Sequence, residues 1–178
     1  MVDAAIKYDP REWADMQRRL ALVGARVAAR VAGKASRKGL NVVLRSAKQK
    51  VTKRTGLLKK SLAVIQKKYK HTGTIYNLVG PRRDMKDPQT GENPANIAHL
   101  VEFGTAPHTI APKGMAGSLQ IKRGQGPQVH VKGEIEHPGA RAKPFLRPAY
   151  DERGREAINV TFHEFDKGVD EEVRKAKR

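Results

Sequence analysis

Six histidines, at positions 71, 99, 108, 130, 137 and 163, and no cysteine make up the soft-ligand inventory of this chain. No two of the histidines stand at the close spacing of an HExxH pair, so a metal site would have to be assembled from distant residues. The glycine-led stretches GLLKKS (56–61) and GMAGSL (114–119) lack the GxxxxGK[ST] frame that aligns backbone donors and a lysine on phosphate. There is no GxSxG elbow, and the carboxylates of the C-terminal segment alternate with lysine and arginine as on a solvated face. No catalytic, metal or cofactor residue is therefore expected, and the reading is of a protein that is no enzyme.

Charge is the stronger signal. The formal net charge is +18, and between Met16 and Arg83 there are 19 Lys and Arg residues and no Asp or Glu. The other segments are nearly balanced, with 17 basic against 18 acidic residues. Such a block attracts polyanions, nucleic acid above all, or an acidic protein neighbour. Arg18, Arg19, Arg26, Arg30, Arg37 and Lys48 are the residues expected on the DNA-facing or acidic-partner-facing side of a helix, the bland alternative being a solvated helix face. No zinc finger, helix-turn-helix or RNP signature accompanies them, and Tyr69 and Tyr76 are expected to pack in a sheet. Any DNA would be met through its backbone, without sequence reading.

These residues need elements to position them. Trp13, Met16, Leu20, Val23, Val27 and Val31 recur at helical steps behind Asp9 as N-cap and Pro10 as first helical residue. The stripe stumbles at Gly33 and Gly39 and resumes at Leu40, Val43, Ala47 and Val51, which predicts one long basic helix with a weak point or break there. Leu62–Tyr69 and TIYNLVG (74–80) read as an antiparallel hairpin with a turn at His71–Gly73, followed by a polar partner-contacting loop over 81–94. Asn96–Phe103 reads as a short helix stopped by Gly104, and 105–141 as an extended arm of short strands. Tyr150, Ile158, Phe162, Phe165, Val169 and Val173 form the stripe of a C-terminal helix.

The expected fold class is α+β: a small antiparallel sheet with an extended hairpin or arm, packed by a long N-terminal, a short central and a C-terminal helix. The expected organisation is a single domain over 1–178. It divides into a basic helical segment (10–53), hairpin plus short helix (54–104), arm (105–141) and C-terminal helix (142–178). With 38% hydrophobic and 5% aromatic residues the core should be modest. The opening MVDAAIKYDPREW has no signal-peptide pattern and no apolar run approaches a membrane span, so a soluble protein with no membrane partner is expected.

Three stretches, RTGLLKKS (54–61), HLVEFGTAPHTIAPK (99–113) and HPGARAKPFLRPAYDE (137–152), together resemble a known family. It is the tail-component family of long-tailed bacteriophages, whose members act as tail-completion or neck proteins. The likeness rests on Arg54, Thr55, Gly56 and Leu58 in a turn, and on Glu102, Phe103, Gly104 and Thr105 ending a helix. It continues with Pro107, His108, Ile110, Pro112 and Lys113 in a strand, then His137, Pro138 and Gly139 followed by Pro144, Phe145, Leu146, Arg147, Pro148 and Ala149. It covers about residues 40–165, loosely between Lys113 and His137, and leaves the N-terminal basic helix and the tail after Phe165 outside.

The resemblance implies a virion protein assembled in the host cytoplasm, a homo-oligomer and by tail symmetry a hexameric ring. Its partners would be the connector or portal side, tail-tube or terminator proteins, and genome DNA in the channel. Within that class a tail terminator or head-completion stopper is the alternative; outside it, a nonspecific DNA-binding protein. Glu102 and Arg147, charged residues inside apolar motifs, are the expected subunit-interface or ion-pair residues.

Overall fold

The computed structural model describes residues 9–52, 56–69, 74–88, 91–112, 118–122 and 128–178. Among them the fold is α+β, with five helices and three two-stranded antiparallel ladders. Helix α1 (Pro10–Val23) starts on Asp9, whose side chain accepts from the Arg11 backbone N–H at 2.8 Å, with Pro10 in the first helical turn. The chain breaks at Gly24, where φ is 78° and ψ 151°, a backbone state that L side chains avoid. Helix α2 then runs without interruption from Ala25 to Lys50.

The break expected at Gly33 and Gly39 is thus displaced to Gly24, and packing explains why. Both inner glycines are buried within α2. A Cβ on Gly39 would stand 2.1 Å from Thr161 Oγ1 and 2.3 Å from the Ala157 carbonyl oxygen. One on Gly33 would stand 3.1 Å from Ile75. These glycines let the neighbouring elements approach the α2 backbone; they do not end the helix.

Helix α5 (Leu146–Ala176) lies antiparallel to α2. Its direction is recorded by ion pairs whose numbers fall along one helix as they rise along the other: Lys50–Glu152 at 2.6 Å, Lys38–Glu164 at 2.5 Å and Arg30–Glu172 at 3.3 Å. At one end, the turn at Gly24 lets Leu20 and Val23 of α1 and Val27 and Val31 of α2 close on Phe165, Val169 and Val173. At the other, Val42, Val43, Ala47 and Val51 meet Leu58, Leu62, Ala98, Phe145, Ala149 and Ala157. Phe145 and Leu62 are the largest fully buried side chains, each contributing about 1.5–3 kcal/mol by leaving water. Most other core positions are Val or Ala, as the low aromatic content implied.

The single turn α3 (Leu57–Ser61) leads into the predicted hairpin. Strand β1 (Leu62–Lys68) pairs with β2 (Ile75–Pro81) from Leu62↔Pro81 to Lys68↔Ile75. Arg54, Thr55 and the turn at 71–73 lie outside the described residues. Helix α4 (Pro94–Phe103) is capped by Asn93 and ends on Gly104, φ 74°, where the helix stop was expected. Beyond it the chain runs out and back: β3 (His108–Ile110) pairs with β6 (Ile135–His137), and β4 (Ser118–Lys122) with β5 (Gln128–Lys132). The expected small sheet is in fact three separate ladders. In the arm, Gly133 at φ 84° separates β5 from β6, and Pro112, which has no N–H to donate, follows β3.

Candidate functional site

Two regions concentrate the residues singled out by the sequence: the root of the arm and the basic face of α2. At the root, motifs far apart in the chain come together. Helix α5 begins at Leu146, and Phe145 before it supplies no side-chain cap. Glu102 of α4 supplies one, its Oε2 accepting from the Phe145 and Leu146 N–H groups at 2.8 and 2.9 Å and its Oε1 from Arg147 N–H at 2.9 Å. A carboxylate at a helix N-terminus satisfies orphan donors and faces the positive end of the dipole. Burial works to raise the Glu102 pKa, but the N–H groups of Leu146, Phe145 and Arg147, with the Arg147 charge, outweigh it and hold the carboxyl below its usual range. The hydrogen bonds of Glu102 are thus made within its own chain, while the Arg147 side chain is exposed.

Around this cap the chain crosses itself closely. Thr105 and Ala140 exchange backbone hydrogen bonds at 2.9 and 3.1 Å, and Lys143 N–H donates to the Val101 carbonyl at 2.8 Å. A Cβ on Gly104 would lie 2.5 Å from the Ala140 oxygen, and one on Gly139 2.2 Å from the Thr105 oxygen. The rings of His108 and His137 face each other across the β3–β6 ladder, centroids 5.0 Å apart. Among the described residues no group of three or more His, Asp or Glu side chains could hold a metal ion.

The basic face divides in two. Arg19 lies 2.8 Å from both Asp166 and Asp170 and 2.9 Å from Asp15. Arg30 reaches Glu172, and Arg18 lies 3.7 Å from Asp15 with most of its side chain in solvent. These cations face carboxylates of their own chain, which the sequence block, reading only from 16 to 83, does not contain. Arg26 and Arg37 are exposed and Lys48 half-buried, with no ion pair among the described residues. Lys34, one helical turn beyond Arg30, belongs to the same row and was legible by spacing. Lys68 and Tyr69 were not: the hairpin brings them beside that row.

The hairpin is docked by side-chain amides. Gln66 and Asn77, directly opposite each other in the ladder, both donate to the Gly33 carbonyl, at 3.3 and 3.0 Å. Asn77 also donates to Ser36 Oγ.

Residues 14–104, which run from α1 through α4, match the model of the family described as "Bacteriophage HK97-gp10, putative tail-component". The chain belongs to this family. Comparison with curated proteins and with solved structures gives no significant match. As a phage tail component, a structural protein of the virion, it carries its basic helices inside the family region: the match begins at 14, not near 40 as expected. The arm and α5 of this tail component lie beyond the match. Among its described residues no helix is long and apolar enough to cross a membrane.

Proposed function

We propose that this tail component is a ring-forming neck subunit that joins the head connector to the tail around the DNA channel. The observation that carries the reading is the arm root: α4, the arm and α5 are locked together by Glu102 and the Gly104–Gly139 crossing, so the arm leaves the body from a rigid base. Beside it α4 turns Ile97, Leu100 and Phe103 outward, Phe103 being 74% exposed. An apolar row next to an arm suits a heterologous contact with the next copy around a ring. The role is assembly, with no catalytic step, and the ring is most simply hexameric to match the tail. In isolation the subunit is monomeric or weakly associated and closes into a ring on partner surfaces.

The test is a phage lacking this gene. Filled heads and finished tails should accumulate unjoined, and added purified protein should join them, as seen by negative-stain imaging. Phe103→Asp protein should fold normally and fail in this complementation. Joined, infectious particles formed without the gene would overturn the reading.

A further inference from the structure

Between α2 and the β1–β2 hairpin runs a groove of about 890 Å³ lined by Arg26, Arg30, Lys34 and Arg37 from the helix and Lys68 from the strand, with no carboxylate among the described residues that line it. The neighbouring depression on the α5 side contains Lys34 and Lys38 too, but Glu164, Glu171 and Glu172 share it. Charge is unevenly matched on the two sides of α2: Lys38 pairs with an α5 carboxylate, Arg30 and Lys34 line both depressions, and Arg26, Arg37 and Lys68 line the hairpin side alone. Among the described residues Arg26, Lys34, Arg37 and Lys68 make no ion pair; Arg30 is drawn aside to Glu172 at 3.3 Å, and the Lys34 charge also acts on that carboxylate from a longer distance.

We propose that this groove binds the phosphate backbone of double-stranded DNA. The helical cations step by four, four and three residues, so at about 1.5 Å per residue one stands every 5–6 Å over roughly 17 Å. Each strand of duplex DNA advances about 3.4 Å of axis per phosphate, so a backbone lying along the row brings phosphates within reach of the flexible cations without any reading of sequence. An acidic protein would need an apolar anchor at the centre of its contact. Of the larger apolar residues lining the groove, Ile75 packs on the α2 backbone at Gly33, while Tyr69 lies edge-on to Tyr76, 5.4 Å between centroids, and is half exposed. The groove thus presents five cations and one exposed aromatic ring, too little apolar surface for the core of a protein contact. The inference deepens the neck reading, which puts the chain around DNA, but it concerns a surface that can be tested without phage.

The experiment measures binding of the full chain to a fluorescent random-sequence duplex by anisotropy at several salt concentrations, with folding checked by circular dichroism. The wild type is compared with Arg26→Gln/Lys34→Gln/Arg37→Gln/Lys68→Gln and with a charge-matched control, Arg155→Gln/Lys167→Gln/Arg174→Gln/Lys177→Gln, on α5 and its C-cap. Each phosphate contact contributes about 0.9 to the slope of log K against log salt. The groove variant should therefore lose about 3–4 of that slope and the control less than one. Two half-variants, Arg26→Gln/Arg37→Gln and Lys34→Gln/Lys68→Gln, should each lose about two and stand in should the quadruple variant misfold. Equal losses in groove and control variants, or no DNA binding by the wild type, would overturn the proposal. Binding of polyglutamate in preference to DNA, abolished by the groove variant, would overturn it in favour of an acidic protein. Groove-dependent DNA binding by a protein whose gene proves dispensable for head–tail joining would uphold the groove and sink the neck reading alone.

Discussion

Replacing Glu102 tests whether one buried carboxylate holds the arm root together. Its two oxygens take three backbone N–H groups of the first turn of α5, and the residue is only 6% exposed. In Glu102→Ala those donors lose their acceptor. A buried orphan costs about 1–3 kcal/mol, and the Leu146 and Arg147 groups, less deeply placed, recover part of theirs from water, for a total of about 3–4 kcal/mol. Glu102→Gln keeps an oxygen for two of the donors but sets its NH₂ against Arg147 N–H, so about half that loss is expected. Urea unfolding at pH 7, followed by circular dichroism, should show midpoints lowered by about 1.5–2 M and 0.7–1 M for slopes near 2 kcal/mol/M. The pH dependence supplies the sign. The folded-state pKa of Glu102 is depressed, so its contribution is fully present above the unfolded value of about 4.3 and is lost as pH falls through the folded value below it. The gap between wild type and Glu102→Gln should hold from pH 7 to 5 and close in more acidic solution. A Glu102→Ala protein within 0.5 kcal/mol of wild type, or a gap that widens on acidification, would refute the reasoning.

Gly39→Ala should destabilise by about 1–3 kcal/mol in thermal unfolding despite alanine's better helix propensity, because the new methyl meets the Ala157 carbonyl at 2.3 Å and backbone cannot turn aside. Gly104→Val should yield insoluble protein, since it combines φ 74° with a Cβ 2.5 Å from the Ala140 oxygen; Gly91→Ala, at φ 71° in open space, should stay soluble and serves as the strain-only control in an expression assay. Arg19→Gln should cost about 1 kcal/mol by breaking the contacts with Asp166 and Asp170 and leave the DNA salt slope alone, whereas Arg26→Gln should do the reverse, unchanged in stability and about one unit shallower in slope.

Local rules were sufficient where local physics decides. The Asp9–Pro10 start of α1, the α4 stop at Gly104, the β1–β2 hairpin and the existence of α5 were legible because capping, positive φ and side-chain periodicity act within a few residues. The α5 stripe was right only at Phe165, Val169 and Val173: Tyr150, Ile158 and Phe162 are exposed, and the small residues Ala149, Gly154 and Ala157 take the buried face because α2 packs too closely there for larger ones. The same reasoning misplaced the helix break. A glycine that ends a helix and a glycine that lets another helix come close look alike in one dimension, and only the position of Thr161 and Ala157 against Gly39 tells them apart. The charge block was visible too, but not its division: which cations are neutralised depends on α5, more than a hundred residues away in the chain.

The sequence by itself determined that this chain is a basic α+β protein with capped amphipathic helices, an out-and-back arm and the motifs of a phage tail component, because composition, periodicity and ordered short motifs are one-dimensional properties. Tertiary structure alone decided what the motif residues do. Glu102 became the cap of a helix it does not belong to, Gly104 and Gly139 became the two sides of one crossing, and Arg26, Arg30, Lys34, Arg37 and Lys68 became the lining of one groove. The physical reason is that hydrogen-bond satisfaction, close approach and charge pairing are settled by neighbours in space, and those neighbours come from opposite ends of the chain.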